Sequence, residues 1–204
     1  MGLLSSSVSI NRYYVEGKIE EPVLEVIKKG LTKYSFKETD DAPSDKTIGW
    51  TSFNNHFKPD FEGSSFVLGD YFVFSLRIDK KSVSSKIIRK YLYFETLKRL
   101  EESGKRYLSA NEKKLVKEHV IAVLFLRVPA TPNIYDLVWN YEKSMLYFFS
   151  TNKSANEELE TLFQRSFKKH LIKIFPYTEA DILLGLNDTE RDALSHLSST
   201  KFME

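Results

Sequence analysis

The sequence predicts an α+β fold, with antiparallel sheets and a central basic αα-hairpin in the order β-α-β-β-α-α-β-β-α-β-α. Three observations predict it. Segments of strand periodicity arrive as neighbouring pairs rather than one per helix, which favours antiparallel pairing. Residues 84–102 and 109–127 both have helical periodicity and are separated by Ser103-Gly104, a natural helix stop because glycine adopts the left-handed conformation found at many helix ends. Finally, 42% hydrophobic and 14% aromatic content over 204 residues is enough for the core of one large domain or two small lobes.

Val8 and Ile10 alternate with Ser7, Ser9 and Asn11, the period of a strand with one buried face. Residues 22–33 then take a helical period through Val23, Val26, Ile27 and Leu31. Residues 37–46 are charged and contain Pro43, so they read as an exposed loop before a short strand at 48–53, with a polar loop at 54–64. Aromatic and β-branched residues fill 66–78, giving a buried strand, or a hairpin turning at Gly69-Asp70.

Ser109-Ala110-Asn111-Glu112 has the capping-box pattern that opens the second helix of the hairpin: the serine oxygen accepts an early amide and the glutamate reaches back. Pro129 and Pro132 close that helix. Residues 134–140 and 145–150 follow as strands about the polar turn 141–144. Ser154-Ala155-Asn156-Glu157 repeats the capping pattern ahead of an amphipathic helix bearing Leu159, Leu162, Phe163, Phe167 and His170. A last strand is expected at 172–177. Residues 1–185 read as one domain, with lobes at about 1–80 and 128–185 joined by helices 84–127 as the alternative; residues 186–204 form a short tail, helical or frayed.

Composition narrows the function classes. The absence of cysteine excludes a disulfide framework and thiolate chemistry and fits a reducing compartment. Residues 1–10 lack the basic and apolar regions of a secretory signal, and no apolar run approaches the roughly 18 to 20 residues of a membrane helix, so the expected location is the cytoplasm. Met1-Gly2-Leu3-Leu4-Ser5-Ser6 matches a loose lipidation pattern, but the strand alternation that follows argues for ordinary structure.

Thirty basic and twenty-eight acidic residues leave only +2 overall, yet the charge is unevenly placed. Residues 80–120 hold twelve basic and five acidic residues, or +7, against −5 for the remainder. Lys86, Arg89 and Lys90 share one helical face, and Lys113, Lys114 and Lys117 share another. Ile88, Tyr91, Leu92, Leu115, Val116, Val120 and Val123 are expected to bury the opposite faces. Tyr91, Tyr93 and Phe94 are stacking candidates, though at helical spacing such aromatics usually belong to a core. Lys80, Lys81, Lys86, Arg89, Lys90, Lys113, Lys114 and Lys117 are therefore the candidate phosphate contacts, with Lys98, Arg99, Lys105 and Arg106 as weaker ones. An ordinary solvated helix face is the competing explanation of the same lysines.

The enzyme alternative is a magnesium-dependent nuclease of PD-(D/E)xK form, in which Asp60, after Pro59, and Asp79 hold the metal while Lys81 stabilises the attacking water or phosphate charge. Its pattern recurs by chance in unrelated chains, and the expected protein has no cofactor and no catalytic residues. His56, His119, His170 and His196 are too scattered for a zinc set, and His119 and His170 are expected as satisfied core or boundary residues. A basic module that meets an acidic protein is the third alternative.

Taken in order, Ile48-Gly49-Trp50, the strand 71–78 with Lys80-Lys81, the basic helix pair, Asp136-Leu137-Val138-Trp139-Asn140, and the final Glu158-Leu159-Glu160-Thr161-Leu162-Phe163 helix resemble the bacterial recombination-associated protein RdgC family, over roughly residues 1–185. The resemblance implies double-stranded DNA binding with little sequence preference, a homodimer closing around the duplex with a basic lining, nucleoid association, and restraint of RecA filaments during recombination. Longer family members continue well past the length of this chain, into parts that help close the ring, so the expectation is a clamp-like dimer, with a fully closed ring as the alternative. Arg127-Val128-Pro129 stands where the family carries an aromatic near the end of the second long helix.

Overall fold

The computed structural model describes residues 2–38 and 44–197; Pro43 and residues 198–204 of the expected tail lie outside the described residues. The fold is α+β, as the sequence predicts, with one antiparallel sheet at its centre. Its elements are β1 (Asn11–Val15), α1 (Val23–Lys33), β2 (Lys46–Ser52), β3 (Val67–Leu68), β4 (Tyr71–Lys80), α2 (Ser85–Ser103), α3 (Ala110–Arg127), β5 (Thr131–Asn140), β6 (Met145–Phe148), α4 (Lys153–Phe167), β7 (Leu171–Lys173), α5 (Pro176–Leu184) and α6 (Asp188–Ser195). The strands are ordered β2-β4-β5-β6-β1-β7, with β3 pairing β4. β4 and β5 pair from Tyr71↔Asn140 to Lys80↔Thr131, so strands from both halves of the chain lie in the same sheet.

Alternation sorts the two faces of this sheet. Trp50 of β2, Phe72, Phe74, Leu76 and Ile78 of β4, and Leu137 and Trp139 of β5 are buried with Ile27 and Leu31 of α1 and Leu159, Phe163 and Phe167 of α4. Edge-on aromatic contacts knit this layer: Trp139 and Phe163 centroids are 4.9 Å apart, and those of Phe163 and Phe167 4.8 Å. Trp50 Nε1 donates to Ser166 Oγ at 2.8 Å. On β1, the Tyr13 hydroxyl donates to Asn156 Oδ1 at 2.6 Å, and burial raises its pKa, with Glu160 adding to the effect.

Several boundaries differ from the sequence expectation. The first strand is 11–15 rather than 7–11: Tyr13 and Val15 are buried, while Val8 and Ile10 are exposed. Pairing decides this, because β6 meets Asn11 to Tyr14 and the chain before them has no partner strand among the described residues. Residues 66–78 form the hairpin β3–β4 about Gly69. The α4 cap is Asn152, whose side chain accepts from Ala155 N, two residues before the expected Ser154. The last strand stops at Lys173, and Pro176 opens α5, so Tyr177 is helical; proline at a first turn sacrifices no helical bond.

Candidate nucleic-acid interface

The hairpin α2–α3 leaves the sheet after Lys80 and returns at Thr131. Ser84 caps α2 by accepting from Ile87 N, and Gly104 ends it in the left-handed conformation at φ 64°. At α3 the expected capping box is present: Ser109 N donates to Glu112 Oε2 at 2.8 Å and Glu112 N to Ser109 Oγ at 3.3 Å. Lys105 Nζ adds a 2.6 Å bond to Glu112 Oε1. The Lys105 ammonium, then the Ser109 amide, lower the Glu112 pKa to about 2.

The two helices share a small core of Leu108, Val116, Val120 and Leu124, with Val83, Ile88, Leu92 and Leu100 partly buried against it. No residue of α2 is fully buried. The expected burial of Tyr91 and Leu115 is therefore corrected: they are 40% and 63% exposed. So is the core reading of the neighbouring aromatics, since Tyr93 and Phe94 are 62% and 55% exposed. One helix packed against one other covers only one stripe, and the rest of α2 remains in solvent.

Two flanks of the hairpin differ in chemistry. At about 100° per residue, Arg89, Leu92, Tyr93 and Thr96 lie on one side of α2, and Tyr91, Phe94, Glu95 and Lys98 on the other. With Lys113 and Lys117 of α3, the first set forms a groove of about 440 Å³ with three cations and an apolar floor. The second set meets His119, Val123 and Arg127 in a concavity of about 230 Å³ with mixed charge.

Lys80, Lys86, Arg89, Lys90, Lys113 and Lys117 are exposed and have no ion-pair partner among the described residues, and Arg106 is the same. Lys114 lies 4.0 Å from Glu118, Lys98 3.9 Å from Glu102, and Arg99 3.6 Å from Glu95, all one turn apart and worth little at an exposed surface. Lys81 does not belong with them. It is buried, and its ammonium donates to the Phe125 carbonyl at 2.9 Å, tying the end of β4 to the last turns of α3. Lys80 closes β4 in solvent, whereas Lys81, the first residue beyond the strand, donates its amide to the Asp45 carbonyl at 2.8 Å and has its side chain buried.

The residues named for a nuclease are otherwise engaged. Asp79 is buried and accepts from Arg77 Nε at 2.8 Å and Nη2 at 2.6 Å. The Arg77 guanidinium also meets Glu38 and stacks on Phe36 and Phe57, at 4.0 and 5.0 Å from the ring centroids. Burial alone would lower the Arg77 pKa, but the bonds to Asp79 and Glu38 together outweigh it and raise the value. Asp60 is exposed and accepts from Glu62 N at 2.9 Å, as in a local turn. Among the described residues no three histidines, aspartates or glutamates gather where they would hold a metal. His119 and His170 are exposed rather than core or boundary, and His170 lies beyond α4. No helix of the described residues is long and apolar enough to cross a membrane.

Sequence reasoning missed a second group of cations, Lys29, Lys33, Arg165, Lys168 and Lys169, which gather where the ends of α1 and α4 meet. They come from segments far apart in the chain, within the part whose net charge is negative, so no local count reveals them. No family model matches the chain, and no curated protein matches it significantly.

Proposed function

We propose that the chain binds double-stranded DNA without reading its sequence, as a dimeric clamp acting in DNA recombination or its restraint at the nucleoid. The observation that carries the proposal is the α2–α3 groove, where Arg89, Lys113 and Lys117 stand free of ion pairs among the described residues beside an exposed tyrosine. Lys86 and Lys90 extend the cationic surface along α2, and Lys80 stands exposed where the hairpin leaves the sheet. Side chains of this kind bind phosphate whatever the bases, and each neutralised phosphate releases counterion. The resemblance to RdgC proteins supports the same reading, and with it the connection to RecA filaments.

The homodimer finds support on the other flank. Tyr91 and Phe94 present apolar surface among charges of both signs, a composition suited to a second copy of the chain. Binding of duplex requires no chemistry from the chain, and labelled DNA incubated with magnesium is expected to remain intact. Fluorescence anisotropy with two unrelated duplexes tests the proposal. Comparable binding of both, weakening steeply as salt rises, is the expected result; absence of binding at low salt together with tight capture of an acidic protein would replace DNA by a protein partner.

A further inference from the structure

The cleft between the C-terminal ends of α1 and α4 carries an inference independent of the hairpin. Lys29 and Lys33 of α1, Arg165 of α4, its C-cap Lys168 and the following Lys169 rim a space of about 370 Å³. Ile19, Val26, Tyr34 and Phe167 supply an apolar floor. The two helices come close because α1 has Gly30 at the crossing: a Cβ there would stand 2.6 Å from the Phe167 ring and 2.9 Å from the Ser166 carbonyl oxygen. Lys168 takes a left-handed conformation at φ 57°, which ends α4 beside α1 and puts Lys169 at the same rim.

Cations at helix ends have an ordinary explanation, because each C-terminus carries roughly half a negative charge. Here that explanation falls short. Five cations face one carboxylate, Glu20, and two helix ends worth about half a charge each, which leaves a net charge of about +3. None of the five has an ion-pair partner among the described residues. The volume is that of a small-ligand site, and its apolar floor beneath a cationic rim suits a molecule with an anionic end and a flat or apolar body.

We propose that this cleft binds a phosphate-bearing molecule that presents two or more negative charges, on one phosphate chain or on neighbouring phosphates. Such chemistry has two sources, a nucleoside polyphosphate and the backbone of a nucleic acid. Arg165 offers the planar fork that pairs with phosphate oxygens, and the four lysines act as point charges around it. The helix ends at the cleft are C-terminal and repel anions, so the side chains supply the electrostatic attraction and binding is expected to weaken with salt.

Calorimetric titration of the full chain with ATP, inorganic triphosphate and a short duplex tests the proposal. The comparison proteins are Lys33→Gln with Arg165→Gln, Lys29→Gln with Lys169→Gln, and the hairpin variant Lys113→Gln with Lys117→Gln. All six positions are at the surface or rim, and thermal melts identify the variants that keep the fold. In the supporting result, ATP or triphosphate binds the wild type and the hairpin variant alike and loses about tenfold or more in a folded cleft variant. If only duplex affinity falls in the cleft variants, the proposal holds with nucleic acid as the source. It is overturned if none of the three ligands binds, or if whatever binds is indifferent to both cleft variants. Duplex binding abolished only in the hairpin variant, with no ATP or triphosphate binding that the cleft variants weaken, sinks the cleft and leaves the hairpin reading standing.

Discussion

The Lys81 ammonium donates to the Phe125 carbonyl over 2.9 Å, so a residue beside the base of the hairpin holds its returning helix. Lys81 thus has a structural task that its neighbour Lys80 lacks. Replacing Lys81 by methionine, which keeps most of the volume, is expected to cost about 1–3 kcal/mol of stability by denaturant titration. Duplex affinity of the folded variant is expected to stay near that of the wild type, whereas Lys80→Gln lowers affinity with little effect on stability.

Arg77 is the counter-charge of a buried carboxylate. Substituting it by leucine leaves Asp79 inside the protein without its guanidinium, which is expected to cost about 3–5 kcal/mol. A melt unchanged from the wild type would show that Asp79 is solvated or protonated instead.

Acid should loosen the start of α3. The Glu112 pKa is lowered from 4.5 to about 2, so its carboxylate stabilises the folded form above 4.5, and that contribution is lost as the pH falls from about 4.5 through about 2. The protection of amides in the first turn of α3, taken relative to the intrinsic exchange rate at each pH, is expected to fall across this window. Glu112→Gln, which cannot ionise, should remove the fall in that protection across the same window.

Tyr93 stands in the cationic groove at 62% exposure, and truncating it removes little packing. Tyr93→Ser is expected to change stability by no more than about 0.5 kcal/mol. Any role as a stacking platform is read by comparing single-stranded with duplex oligonucleotides: a loss confined to unpaired bases marks stacking, because stacking needs a free base face.

Local chemistry makes the hairpin legible. Ser109 and Glu112 fix the start of α3 through bonds within a few residues, and Gly104 ends α2 by its left-handed backbone, as their positions suggest; Ser84 caps α2 by a bond equally local. The first strand is harder to place, since Val8, Ile10, Tyr13 and Val15 all suit a strand and only the short partners β6 and β7 determine which of them pair. Tyr93 and Phe94 look like core because helical spacing records a face, not whether anything covers it. Lys29 and Arg165 reach the same cleft only through the packing of α1 on α4, which no short stretch of sequence records.

The central claim is that the cations of α2 and α3 hold duplex phosphate. Its most direct test is duplex affinity measured against salt for the wild type and for Arg89→Gln with Lys113→Gln and Lys117→Gln. The wild type should bind unrelated duplexes equally, with log affinity falling linearly in log salt concentration. The variant should bind more weakly, with a slope shallower by roughly one for each phosphate it no longer neutralises. A variant that binds with the wild-type affinity and slope would contradict the assignment of DNA to this hairpin.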